Sequence, residues 1–81
     1  MFINKASDGR NNICGKNIAV FRQKLQVSQR GLAEKMQLVG IDLDKNAIQR
    51  IESGKRFVTD IEMVAFAKVF NVSMEQLLTE K

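Results

Sequence analysis

The chain has 81 residues, a formal net charge of +4 and 44% hydrophobic residues, which suits one small domain with an adequate core. Its single cysteine excludes an intrachain disulfide and a cysteine-based metal site. Cys14 lies in an apolar pattern of helical spacing, so we expect a small buried side chain and not a reactive thiol. We expect no metal and no other cofactor.

The chain offers no segment that would cross a membrane. Its longest uninterrupted apolar run is 63–67, whereas a spanning helix needs about 20 apolar residues. Residues 1–12 lack the apolar stretch of a secretory signal. These features predict a cytoplasmic protein.

The charge is distributed unevenly along the chain. Residues 1–27 carry five basic and one acidic side chain, residues 28–58 carry six and four, and residues 59–81 carry two and four. The basic excess therefore precedes and enters the middle of the chain, and the last third is acidic. Such a dipolar domain suits a partner that bears phosphates, although a modest positive charge also simply aids solubility.

The first half of the chain predicts an arm followed by two helices. Residues 1–12 are polar and rich in turn-forming residues, which indicates a flexible N-terminal arm before a domain at 13–81. A dimer contact or an expression remnant is the alternative for these residues. A helix over 13–25 would bury a stripe of 4-3-4 spacing, and left-handed Gln26 would end it. Ser28 would cap a second helix, which Gly40 would end. The expected core positions of these two helices are Cys14, Ile18, Phe21, Leu25, Leu32, Ala33 and Met36.

The second half predicts three more capped helices. Asp44 would cap a third helix at about 45–53, with Leu43, Ile48 and Ile51 turned inward. Capping boxes at 59–62 and 73–76 would open the fourth and fifth helices, and Asn71 would end the fourth. Their expected inner positions are Met63, Phe66, Ala67, Phe70, Leu77 and Leu78. The chain is therefore expected to be all-α, a compact bundle of about five helices.

The third predicted helix carries the residues with the most informative chemistry. Its outward positions hold Lys45, Asn46, Gln49 and Arg50. Asparagine and glutamine pair with adenine, and lysine and arginine pair with guanine, in the major groove of DNA. The same residues are also ordinary on a solvated surface, so composition alone does not decide between the two interpretations.

Linked motifs resemble the phage repressor/Cro-like helix-turn-helix family, over about residues 13–78. They are Ser-Gln at 28–29, Leu-Ala-Glu-Lys at 32–35, Ile at 48, Arg-Ile-Glu-Ser-Gly-Lys-Arg at 50–56 and Ala-Lys-Val-Phe-Asn-Val-Ser at 67–73. The resemblance implies a lambda-repressor-like domain that binds a double-stranded DNA operator, usually as a homodimer, and regulates transcription, with repression expected. No small-molecule effector is expected, since no sensor domain is visible.

The resemblance also implies roles for individual residues. The recognition helix would read bases through Lys45, Asn46, Gln49 and Arg50. Phosphate contacts would come from Ser28, Gln29, Lys55 and Arg56. Arg22 and Glu52 would form an internal salt bridge that ties the first helix to the third.

The chain departs from the family in the connection between the second and third helices. Residues 37–42 lengthen a turn that is usually tight. Either the second helix gains a turn or the connection is a loop, and its apolar Val39 and Ile41 predict packing against the core. Gln26 and Gly31 also replace residues that are common in the family at these positions, each at a small expected cost in stability.

Two other classes of function remain open at this point. One is a protein-interaction module, such as an antitoxin or adaptor with the same fold. The other is an enzyme, which the sequence disfavours: it has no histidine, and no serine or cysteine is paired with a visible base.

Overall fold

The computed structural model describes residues 4–79, which form five helices and, in that range, no strand. They are α1 (Cys14–Lys24), α2 (Gln29–Leu38), α3 (Lys45–Glu52), α4 (Asp60–Phe70) and α5 (Met74–Leu78). The predicted all-α class and the number of helices are confirmed. Predictions made for residues 1–3 and 80–81 lie outside the described residues.

Four of the five helices, α2 to α5, begin where the sequence places capping residues. Ser28 accepts a hydrogen bond from the backbone N–H of Gly31 at 2.9 Å, and Asp44 accepts one from Ala47 at 2.8 Å. Thr59 with Glu62, and Ser73 with Gln76, form complete capping boxes. Each side chain satisfies an N–H that has no partner within its helix, which defines where the helix starts.

The helices also end where the sequence predicts left-handed residues. Gln26 after α1 has φ 58°, Gly40 after α2 has φ 87°, and Asn71 after α4 has φ 56°. These backbone conformations stop helical hydrogen bonding and turn the chain. Of the three, only glycine adopts them without a steric cost from Cβ.

The core contains most of the predicted positions. All five helices contribute, as does the loop just before the cap of α3. The predicted residues that are buried are Cys14, Ile18, Leu32, Ala33, Met36, Leu43, Ile48, Ile51, Phe66, Phe70 and Leu77. Burial raises the pKa of the Cys14 thiol to about 11, which agrees with the predicted inert side chain.

Two predicted core residues are in fact exposed. Leu25 is 43% exposed because α1 ends at Lys24, before the stripe would return to the core. Leu78 is 44% exposed because α5 is a short helix whose core-facing position is taken by Leu77. Neighbouring residues on a helix point in different directions, so both leucines cannot face the core. Ala65, which was not predicted, is buried in α4.

The lengthened connection resolves into one longer helix followed by a loop. α2 continues to Leu38, and the loop then closes on it through a bond from the N–H of Ile41 to the carbonyl of Met36, at 3.0 Å. Ile41 packs against the core, as predicted, but Val39 is largely exposed. Packing is therefore confirmed for one of the two apolar residues.

α3 lies against both α1 and α2, and α5 closes the bundle against α1 and α4. The apolar side of α3 is thus held by two helices while its other side is left uncovered. None of the helices within residues 4–79 is long and apolar enough to cross a membrane.

Candidate nucleic-acid interface

The outer face of α3 consists of Lys45, Asn46, Gln49 and Arg50, all four of which are exposed. The opposite side of the helix is anchored by Ile48 and Ile51, whose side chains are fully buried. Residues three or four positions apart are neighbours on the surface of a helix, so the four polar side chains form a contiguous surface. The structure therefore brings together every residue predicted to read bases.

The start of α2 lies beside the end of α3. Gln29 donates from Nε2 to Oε1 of Glu52 at 3.1 Å, and this bond uses one of its two amide hydrogens. Ser28 is exposed and caps α2 as described. The N-terminus of a helix carries partial positive charge and suits a phosphate. Gln29 is thus held beside the last turn of α3, and Ser28 directly precedes it in the chain.

A bidentate ion pair connects α1 to α3. Arg22 donates from Nε to Oε2 of Glu52 at 2.7 Å and from Nη2 to Oε1 at 3.1 Å. Its Nη1 donates to the carbonyl of Val27 at 2.9 Å. The hydrogen bond to Glu52 raises the pKa of Arg22 above its already high value, so the guanidinium stays charged. Glu52 thereby joins α1, the start of α2 and the end of α3.

The two basic residues of the post-α3 loop, defined as residues 53–57, lie in different environments. Lys55 is exposed. Arg56 donates from Nη1 and Nη2 to the carboxylate of Glu62 at 2.9 and 3.0 Å, and again from Nη1 to the carbonyl of Phe57. Because its guanidinium is already bound within the protein, we assign Arg56 a structural role in place of the predicted phosphate contact.

Glu62 connects this loop to α4. The hydrogen bonds from Arg56 hold the pKa of Glu62 below its usual range, and the backbone N–H of Thr59 adds to this effect. The sequence predicts Glu62 as part of a capping box, and the ion pair with Arg56 was not predicted. The spacing of six positions between a loop residue and a helix residue carries no local signal for such a pair.

A second set of residues was missed because it lies before the predicted domain. Arg10, Asn11 and Asn12 donate side-chain hydrogen bonds to backbone carbonyls at the end of α3 and in the post-α3 loop. Asn12 also accepts a bond from the N–H of Gly15 at 2.8 Å, as a helix-capping residue would. The asparagine pair before α1 was the available signal, although it indicated a cap and not a contact with α3.

The described residues contain no group of three or more acidic or cysteine side chains that is placed to hold a metal ion. The predicted contact residues on the outer face of α3, at the start of α2 and at Lys55 carry amides, a hydroxyl and cations. That set can donate hydrogen bonds to base edges and phosphates.

Comparison with protein families gives one match, to a helix-turn-helix family model over residues 18–77. Neither the curated proteins nor the solved structures gave a significant match. The matched range covers most of the chain and runs from α1 to α5, so it includes both helices of the proposed interface. The chain belongs to the Cro/C1-type helix-turn-helix family of DNA-binding regulators.

Proposed function

We propose that this chain is a sequence-specific transcriptional regulator, acting in the cytoplasm as a repressor that occupies a double-stranded DNA operator. The observation that carries the proposal is the outer face of α3, which is polar, exposed and supported from behind by buried Ile48 and Ile51. A helix of this kind fits the major groove of DNA. The proposal assigns no catalytic step to the chain.

Base recognition is assigned to the outer face of α3. Asn46 or Gln49 would pair with adenine through a bidentate amide contact, and Lys45 or Arg50 would pair with the O6 and N7 atoms of guanine. The ion pair between Arg22 and Glu52 would keep α3 at a constant angle to the rest of the domain. Sequence specificity would therefore depend on the outer face of α3 and on the ion pair that supports this helix.

Phosphate contacts are assigned to Ser28, Gln29 and Lys55. The first two lie at the start of α2 and the third lies in the post-α3 loop, so they flank α3 in the chain. Such contacts set the register of a protein on DNA without reading sequence. We assign residues 13–81 to the DNA-binding domain and residues 1–12 to an arm, of which 10–12 are packed on that domain.

The proposal is tested by the salt dependence of DNA binding. Lys55→Ala is expected to weaken binding to all duplexes similarly and to make the slope of log affinity against log salt shallower by about 0.9, since one phosphate contact is lost. Both effects are measured by fluorescence anisotropy on two duplexes, one selected for binding from a random pool and one of random sequence. Lys68→Ala on α4 removes the same charge away from the interface and is expected to change the slope much less.

Base reading is tested in the same titrations. Arg50→Ala should cost roughly 1–3 kcal/mol on the selected duplex and little on random DNA, so that specificity at single base pairs is relaxed. Selection of bound duplexes from a random pool supplies the sequence for this test. Binding that did not respond to salt, or an Arg50→Ala variant as selective as the parent chain, would count against DNA readout and favour a protein-interaction module.

A further inference from the structure

The residues just before α1 are attached to the far end of α3. We define residues 10–12 as the N-terminal clamp. Arg10 Nη2 donates to the carbonyl of Glu52 at 2.6 Å and to that of Ile51 at 3.4 Å. Asn12 Nδ2 donates to the carbonyls of Ile51 and Arg56, at 3.0 and 2.7 Å. The clamp thus contacts both the last turn of α3 and the loop that follows it.

Asn11 makes the contacts closest to Lys55. Its backbone N–H donates to the carbonyl of Gly54 at 2.8 Å, and its Nδ2 donates to the carbonyl of Lys55 itself at 3.0 Å. The backbone on either side of the exposed Lys55 side chain is therefore tied to the clamp. The side chain of Lys55 remains exposed.

Carbonyls at the end of a helix lack partners within the helix and carry partial negative charge. Most helices satisfy them locally, with a glycine turn or with water. In this protein the backbone N–H groups of residues 53–56 supply local bonds, and further donors come from a segment about forty residues earlier in the chain. One of those further donors is a cation. Arg10 adds a favourable charge interaction with the end of α3 that a neutral donor would not supply.

Two glycines let the clamp approach this closely. A Cβ at Gly54 would lie 2.8 Å from the Arg10 side chain, and one at Gly15 would lie 2.6 Å from Asn12 Oδ1 and 2.8 Å from Arg10 Nη2. Gly54 also has φ 83°, a backbone conformation that favours glycine. The clamp and the post-α3 loop therefore fit each other without space for a further methyl group.

The opposite side of the post-α3 loop is held by the ion pair of Arg56 with Glu62 on α4. The loop is thus fastened from two directions, by the clamp and by α4. A cationic side chain on a fastened loop loses less conformational freedom when it binds a phosphate than one on a mobile loop.

We propose that the N-terminal clamp is a positioning device for DNA binding: residues 10–12 hold the post-α3 loop so that Lys55 meets a phosphate while α3 lies in the groove. This inference rests on the proposed function. Residues 10–12 are positioning residues and not DNA contacts. Substitutions in the clamp should weaken DNA binding because they displace Lys55, and not because they change the charge of the clamp.

Asn12 offers the sharpest test, because Asn17 on α1 provides a matched control. Asn12→Ala removes the bonds to Ile51 and Arg56, and Asn12→Asp removes them while keeping an acceptor for Gly15. Asn17 likewise donates from Nδ2 to two carbonyls, those of Leu77 and Thr79, at the end of α5. Asn17→Ala and Asn17→Asp therefore make the same chemical changes at a helix end that carries no proposed DNA contact.

Binding is measured by anisotropy on a random-sequence duplex of about two helical turns, over a salt series, with folding verified by circular dichroism. Both Asn12 variants are expected to make the salt slope shallower by up to about 0.9, the contribution of one phosphate contact. Both Asn17 variants should leave the slope unchanged. In a chain that already carries Lys55→Ala, the Asn12 variants should have little further effect. Asn11→Ala, which removes a single side-chain bond, serves if the Asn12 variants do not fold.

Clamp and control variants that change the slope equally would overturn the positioning role, and so would effects of Asn12 and Lys55 that simply add. The Lys55→Ala variant of the otherwise unchanged chain reports separately on the proposed function. If that variant keeps the salt slope of the parent chain, the phosphate contact itself is wrong, and the clamp proposal falls with it.

Discussion

At the scale of single residues, neighbouring side chains of the same type have different roles. Lys55 and Arg56 are both basic and both follow α3, and the sequence predicts a phosphate contact for each. In the structure Lys55 points to solvent, whereas Arg56 is bound to Glu62. The exposure of a basic side chain and its bonding partner therefore distinguish a cation available to DNA from one with a structural role. The residue type alone does not.

Glu62 provides a prediction at this scale. Glu62→Gln should lower the free energy of unfolding near neutral pH by about 1–3 kcal/mol, since the carboxylate accepts hydrogen bonds from a cation. The native pKa of Glu62 lies below the usual 4.5, so its stabilising effect is present above pH 4.5 and is lost as the pH falls through the native pKa. Urea unfolding across acidic pH measures this effect.

The effect of Glu62 is isolated by the difference in the free energy of unfolding between the parent chain and Glu62→Gln, measured as the pH falls. That difference should shrink in acid, because the parent chain loses the same interaction by protonation. Glu34→Gln, at an exposed position of α2, should produce no such convergence. A constant difference down to strongly acidic pH would contradict the assigned ion pair.

At the scale of elements, the start and end of each helix depend on nearby residues, but the distance between two packed helices does not. Caps and left-handed residues mark the starts and ends of the helices, and each acts within a few positions of the chain. The distance between α1 and α3 instead depends on Gly15, which lies against the carbonyl of Ile51. Interaxial distance follows the side chains at the contact, and here one partner has none.

Gly15→Ala is therefore expected to destabilise the fold by about 1–3 kcal/mol, even though alanine favours helices more than glycine does. The added Cβ would lie 2.0 Å from the Ile51 carbonyl, a backbone atom that cannot move away cheaply. Thermal unfolding of the variant measures the cost.

Gly31→Ala is the matched control on α2. Its added Cβ would have Val27 Cβ as the nearest atom, at 3.3 Å, so the expected change is within about 1 kcal/mol. Equal stability of the two variants would show that the close contact between α1 and α3 does not limit the packing.

At the scale of the whole molecule, one domain covers only part of an operator. α3 has 8 residues and is thus about 12 Å long. One turn of DNA spans about 34 Å, which is the usual distance between the half-sites of a dimeric repressor. A homodimer with two α3 helices in successive major grooves is therefore the proposed binding form.

The dimer is tested by sedimentation equilibrium with and without a selected duplex. We expect two chains per duplex, and a selected binding motif with palindromic half-sites. A duplex that contains a single half-site serves as the control and should bind more weakly. A single chain per duplex, together with a motif that lacks symmetry, would reject the dimer.

The sequence by itself determined the class of fold, the limits of most helices and the outer face of α3. These features depend on caps, left-handed positions and the spacing of apolar residues, all of which act over a few neighbouring positions. For the same reason, the sequence misplaced Leu25 and Leu78, whose burial depends on where a helix ends.

Apart from the pair of Arg22 with Glu52, which the resemblance implied, only the tertiary structure decided which polar groups meet. Arg10, Asn11 and Asn12 bind carbonyls about forty positions away, Gln29 binds Glu52, and Arg56 binds Glu62. A side-chain donor finds its acceptor through the packing of whole helices, and no local pattern records that packing. The residues that would contact DNA and the supporting pair of Arg22 with Glu52 were therefore expected from the sequence, whereas the other residues that hold them in place were not.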